Sequence, residues 1–315
     1  MVQLQAQTEK LLKFKDLQEW QKDNHFIETG YRRLQGSYWR CLKTIPRIHN
    51  ESVNIWTHLI GSFVAVLTLA FFLLDLSPNQ SYNDHRKGWL APLSSIPYPL
   101  PHSNQPSVEW IDALGFAVFL VSAATCLGLS ALFHTFSCHS MKVAHTWNRM
   151  DYIGIVVLIS GTFVPATRYG FFCDPHLRNL YIAIIYTASA ATIYVVISPN
   201  ARTPSFRRLR TWLFISLGLS AVLPVSHAVY RYGLEAASAN ISLFWLALGG
   251  GLYIVGALLY AERTPERFAP GRFDLFGSSH QIFHVMILLA AWAHWTGITE
   301  GFRYHHGERA GLCVP

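Results

Sequence analysis

The sequence predicts an all-α fold, a seven-transmembrane helix bundle, and three observations lead there. Of the 315 residues, 51% are hydrophobic and only 14% are charged, against about 25% charged in soluble globular chains. The missing charge is concentrated. Stretches without Asp, Glu, Lys or Arg run over 52–74, 113–141, 179–201, 211–230, 236–261 and 275–299, and a shorter one over 152–167 continues as an apolar run to Phe172. Their lengths match or approach the roughly 20 residues a helix needs to cross about 30 Å of hydrocarbon, and their Leu, Ile, Val and Phe content does not suit the alternating strands of an outer-membrane barrel. A soluble enzyme, a disordered scaffold and a nucleic-acid binder are excluded as primary readings. The net charge of +7 takes its meaning from where it sits.

Taken in order, residues 1–50 read as a polar N-terminal tail with short amphipathic helical stretches around Leu11, Leu12, Phe14 and Leu17 that pack on the bundle base or the lipid surface. No apolar core of a cleavable signal peptide precedes residue 53. The membrane domain covers 51–300, with spans over 53–76, 111–134, 151–172, 178–198, 211–231, 241–261 and 278–299, and a short tail follows over 301–315. Between the first two spans, 77–110 holds Pro78, Pro92, Pro97, Pro99, Pro101 and Pro106. Prolines at that density remove backbone donors, so an irregular external loop is expected. Pro165 and Pro224 lie inside spans, where neighbours can satisfy the freed carbonyls. Trp56, Trp110, Trp147 and Trp212 fall near span ends, as in an aromatic belt.

Orientation follows from the basic residues. With seven spans the flanks alternate sides, and 18 of the 25 Lys and Arg fall on the side of the N-terminal tail. Cytoplasmic flanks are enriched in Lys and Arg, so the N-terminus is expected in the cytosol and the C-terminus outside or in a lumen. That topology is opposite to a G-protein-coupled receptor. No Lys lies in any span, so no retinal Schiff base can form. Cys41 and Cys138 then face a reducing compartment, while Cys173 and Cys313 lie on the oxidising side, where they can pair. The absence of a CxxC argues against a thiolate metal site.

The chemistry lies in ionisable residues that a membrane helix rarely carries. His134 ends the second span, Asp151 opens the third, and His280 and His284 open the seventh. On this topology all reach one depth. His280 and His284 are four apart and project from one helical face, so both imidazoles can hold one metal ion, with His134 as third ligand. His139 or His145 can stand in for His134 on spacing alone. Three protein ligands leave a fourth position open, the arrangement of catalytic zinc, and Zn²⁺ is the default for imidazoles without thiolates. Asp151 either fills that position or holds a water there. Ser130, one turn before His134, can reach the water or a substrate. His58, His227 and His294 have no partner at ligand spacing and read as ordinary hydrogen-bonding groups.

Several motifs now converge. Glu51-Ser-Val-Asn54-Ile-Trp-Thr57-His58, Ser130-x-x-x-His134, Asp151, His280-x-x-x-His284 and the stretch from Trp20 to Arg32 together resemble the progestin and adipoQ receptor (PAQR) family, related to the haemolysin III proteins. The likeness is strongest to its adiponectin-receptor branch and the fungal zinc-homeostasis members. The resemblance implies a cytosolic N-terminus, a zinc ion on His134, His280 and His284 with Asp151 bound through water, and a link to sphingolipid metabolism that includes ceramide hydrolysis.

Two functions are expected from these features. One is a zinc-dependent intramembrane hydrolase of a lipid amide, with Asp151 taking the proton, Ser130 assisting at the oxyanion, and ceramide or fatty acid in the helix cavity. The other is a receptor or metal-homeostasis regulator with a structural zinc, open to an extracellular ligand. The plasma membrane and the endoplasmic reticulum both fit.

Overall fold

The computed structural model describes residues 10–75, 110–198, 203–308 and 313. Among the described residues there are ten α-helices and no strand, only one isolated antiparallel bridge between Leu12 and Tyr31. Helix α1 (Tyr38–Leu42) is short. The first four membrane crossings are α2 (Ser52–Asp75), α3 (Trp110–Phe136), α4 (Met141–Gly170) and α5 (Pro175–Val196). The fifth crossing is divided into α6 (Arg207–Leu219) and α7 (Val222–Tyr232), followed by a short α8 (Leu234–Ile241). The sixth and seventh are α9 (Leu243–Ala261) and α10 (Ser279–Arg303). Among the described residues, seven helical stretches are thus long and apolar enough to cross a membrane.

Local chemistry accounts for the boundaries. Asp174 caps α5 by accepting from the Leu177 backbone N–H at 3.3 Å, and Pro175 occupies the first helical position, where no donor is needed. The break between α6 and α7 falls at Ser220–Ala221. Pro224 lies four residues beyond Ser220 and cannot donate to its carbonyl. Helix α4 corrects the expected start of the third span. It begins at Met141, so Asp151 lies well inside it. The added turns are polar in sequence but seated by Ala144, which is buried, and by Trp147, whose ring is 5.5 Å from that of Phe136.

The central helices are α3, α4 and α10. Phe116, Phe119, Leu120, Leu127, Leu158 and Ile287 form the middle of the core, with Phe72 of α2 against them. Helices α3 and α4 approach closely at Gly154, where a Cβ would come within 3.0 Å of the Cys126 Cα. Any larger residue would push the backbones apart, and that close approach places Asp151, one turn earlier, against α3.

The N-terminal tail differs from the expected amphipathic helices. Leu12 exchanges backbone hydrogen bonds with Tyr31 at 2.7 and 3.2 Å, and Phe14–Asp16 and Glu19–Gln21 are single 3-10 turns. Non-local bonds replace helical ones. Arg263 donates to Asp23 at 2.5 Å, Asn24 to Glu266 at 3.0 Å, Thr29 to Asp274 at 2.6 Å, and the Gly271 N–H to the Phe26 carbonyl at 3.0 Å. The segment is pinned across one end of the bundle, the capped end.

At the other end, Cys173 is disulfide-bonded to Cys313, as the sequence allowed. The expected 301–315 tail is in part helical: α10 runs to Arg303 and a π-turn continues over Tyr304–Glu308. The proline-rich loop expected over 77–110 lies, but for Trp110, outside the described residues.

Candidate metal centre and its cavity

His134 lies near the end of α3, and His280 and His284 lie in the first turns of α10. The fold brings the three imidazoles into a near-equilateral triangle at the capped end. Ring centroids are 4.9 Å apart for His134–His280, 4.8 Å for His134–His284 and 4.9 Å for His280–His284. One ligand nitrogen from each lies within 4.8 Å of the others, so the group could hold a metal ion. His139 packs on Tyr38 and His145 on Trp20, at ring distances of 4.6 and 6.0 Å. His134 is therefore the member that joins the pair on α10.

The hydrogen bonds around the triangle fit a metal. His134 Nδ1 is 2.7 Å from Glu51 Oε2, while its buried Nε2 has no hydrogen-bond partner. Such an orphaned nitrogen is costly unless something occupies it. His284 Nδ1 is 3.2 Å from the Asn54 carbonyl. A carbonyl can only accept, so Nδ1 carries the proton and Nε2 keeps its lone pair. Glu51 Oε2 also accepts from the Asn54 side-chain amide at 2.7 Å. Arg32 from the N-terminal segment donates to the His134 carbonyl and, at 3.1 Å, to the Thr135 carbonyl, fixing the end of α3.

Asp151 is buried, and so is Ser130, one helical turn before His134 on α3. Asp151, His134 and His280 line one continuous cavity of about 960 Å³ that runs between α4, α6, α7, α9 and α10. Its capped end is floored by the N-terminal segment, including Trp20, Asp23 and Arg32. Farther in it is mostly apolar, with Phe163, Ile215, Val225, Ile254 and Ile287 among its walls. Arg210 lines it too, its guanidinium 4.7 Å from the Tyr152 ring centroid.

Sequence reasoning did not anticipate Arg210 or the support from α2. It also took His58 for an ordinary hydrogen-bonding group. Instead, His58 stacks flat on His284 with centroids 3.6 Å apart and an interplanar angle of 11°, and neither of its nitrogens has a hydrogen-bond partner. His227 does bond to the Tyr181 hydroxyl at 2.8 Å, and His294 stacks on Tyr253 at 5.7 Å.

A seven-helix bundle carrying a three-histidine cluster at one end defines a class of integral membrane proteins. Residues 46–295 match the haemolysin-III-related family, and the chain belongs to it. It is 37% identical over 297 residues to the adiponectin receptor protein of Drosophila melanogaster, covering 94% of this chain and 60% of that protein. It is 37% identical over 291 residues to progestin and adipoQ receptor-like protein 1 of Caenorhabditis elegans, covering 92% and 61%. It is 34% identical over 300 residues to ADIPOR-like receptor IZH2 of Saccharomyces cerevisiae, covering 94% and 86%. The chain thus spans about three fifths of the length of the two animal relatives. It is an adiponectin-receptor-like, multi-pass integral membrane protein of the PAQR group.

Proposed function

We propose that the chain is a zinc-dependent intramembrane hydrolase of lipid amides of the ceramide type, with His134, His280 and His284 as the zinc ligands and Asp151 as the proton acceptor. The supporting observation is the triangle of imidazoles opening onto a long apolar cavity beside a buried carboxylate. Zinc supplies Lewis acidity and lowers the pKa of a coordinated water from 15.7 toward about 7. The chain's own residues supply the rest. Asp151 accepts the proton of the attacking water and returns it to the leaving amine. Ser130, buried one turn before His134, assists at the oxyanion. The apolar walls hold an acyl chain, and Arg210 offers a cation to a released carboxylate.

On this reading the capped end faces the cytosol, supported by the 18 of 25 basic residues on that side, and the site reaches lipid in the inner leaflet. The opposite end, with its disulfide, is the surface open to an extracellular or lumenal ligand. Such a ligand would tune hydrolysis at the plasma membrane or in the endoplasmic reticulum.

A regulator with purely structural zinc is the second reading. It is favoured by the way the triangle ties α3 to α10 with α2 behind them. Metal analysis and ceramide turnover of purified protein separate the two. Zinc retention with loss of fatty-acid release in Asp151→Ala supports the hydrolase. Zinc-loaded wild type without turnover supports the regulator, and protein that takes up no zinc overturns both.

A further inference from the structure

We infer that helix α2, which contributes no ligand, sets the metal-binding form of the centre, with Glu51 and His58 as positioning residues for His134 and His284. This rests on the triangle being a metal centre. Glu51, Asn54 and His58 follow one another at spacings of three and four and so share a helical face. That face lies against two of the three imidazoles. Glu51 Oε2 receives both His134 Nδ1 and the Asn54 side-chain amide at 2.7 Å each, so the amide holds the carboxylate in place for the imidazole. One turn on, the Asn54 carbonyl takes the His284 Nδ1 proton at 3.2 Å. One turn further, the His58 ring covers the face of His284 at 3.6 Å.

The consequence is chemical. An imidazole whose Nδ1–H is engaged presents Nε2, and only Nε2, to a cation. Two rings from distant segments are thereby held in the same tautomer by Glu51, the residue just before α2, and Asn54 in its first turn. A carboxylate acceptor also raises the basicity of its imidazole, and losing such support typically costs 10–100-fold in metal affinity. His58 has no hydrogen bond of its own, so its role is to restrict rotation of the His284 ring by its flat contact. His280 receives nothing from this face, and its ring packs on Tyr260 at 4.9 Å.

The test uses full-length protein in detergent, with zinc affinity measured by competition against a chromophoric chelator and cobalt substitution as a spectroscopic probe. Glu51→Ala should weaken zinc binding by about 10–100-fold. Glu51→Gln, which keeps a neutral acceptor, should lose less. The cobalt ligand-field bands should shift in both, while the thermal midpoint of the metal-free protein stays near wild type. His58→Ala should weaken binding and His58→Phe, which keeps a flat ring, should restore most of it. If wild type binds zinc and the Glu51 variants bind it as tightly, the positioning role is overturned and the metal centre stands. If wild type takes up no zinc, the metal centre itself falls and this inference with it. Should Glu51→Ala fail to fold, Glu51→Gln and the His58 pair carry the same decision.

Discussion

Arg168 and Asp112 form a buried ion pair, with Arg168 Nε 3.0 Å from Asp112 Oδ1, at the end of the bundle opposite the histidines. His306 Nε2 lies 3.2 Å from the other carboxylate oxygen, and the Phe172 ring sits 4.3 Å from the guanidinium. Both charged residues are almost fully buried, and they join α3 to α4. Removing one partner of such a pair leaves an uncompensated charge and costs about 3–5 kcal/mol. Asp112→Ala and Arg168→Met should each lower thermal stability in detergent markedly, and the double variant Asp112→Leu/Arg168→Met should recover part of the loss. Equal loss in the single and double variants would show that the pair is not coupled.

Ser130→Ala leaves the Asp151 carboxylate in place but removes the buried hydroxyl proposed to assist at the oxyanion. Ceramide turnover should fall, and by less than the roughly 10²–10⁴-fold expected from removing a general base. Zinc content should not change. Steady-state kinetics of Ser130→Ala beside Asp151→Asn checks the order, and a larger loss in the serine variant would reverse the assigned roles.

Arg210→Met removes the cation beside Tyr152 from the cavity. Binding of a long-chain fatty acid should weaken about tenfold or more, the scale of a lost hydrogen bond to a charged group. Binding of the matching fatty alcohol should be nearly unaffected. Calorimetry with both ligands decides, because equal weakening would mean that the arginine acts only by packing.

His49, buried just before α2, accepts the Glu51 backbone N–H on Nδ1 at 3.1 Å, so the folded protein holds it neutral. Burial, reinforced by the Arg32 charge, pushes its pKa from 6.5 down to about 4. Between those values the unfolded chain binds a proton that the folded chain does not. Stability therefore falls as pH drops through this window, by up to about 3 kcal/mol from this group. Thermal midpoints at pH 7 and pH 5 should differ less in His49→Gln than in wild type. An unchanged difference would remove His49 as a cause.

Gly301→Ala would place a Cβ 2.8 Å from the Asn240 carbonyl oxygen, a backbone atom that cannot rotate away. Overpacking of this kind costs about 1–3 kcal/mol. A lowered thermal midpoint is the expected outcome, and an unchanged one would mean that α8 and α10 shift apart freely.

The bundle was legible because the charge-free intervals carry it, and the histidines because two of them share a helical face. What escaped has physical causes. Met141–Met150 is polar, so hydropathy hid the first turns of α4 and made Asp151 look like a helix start, although Ala144 and Trp147 seat those turns. The buried Arg168–Asp112 pair gave no local signal, because its two members lie 56 positions apart. The N-terminal tail was unreadable locally, since its backbone and side chains are satisfied by residues near 263–274. For α2 the signal was present. Glu51, Asn54 and His58 stand at a helical spacing, but only the positions of His134 and His284 in space reveal what that face touches.

The pinned N-terminal segment has a consequence for biosynthesis. Asp23 and Arg263 are 240 positions apart, and Thr29 and Asp274 are 245 apart. This stretch, made before the first crossing, therefore has no seat until the sixth crossing has left the ribosome. It must wait while six crossings are made, and it docks only after them. A nascent chain halted before that crossing would carry this stretch unfolded, open to proteases that the finished protein resists.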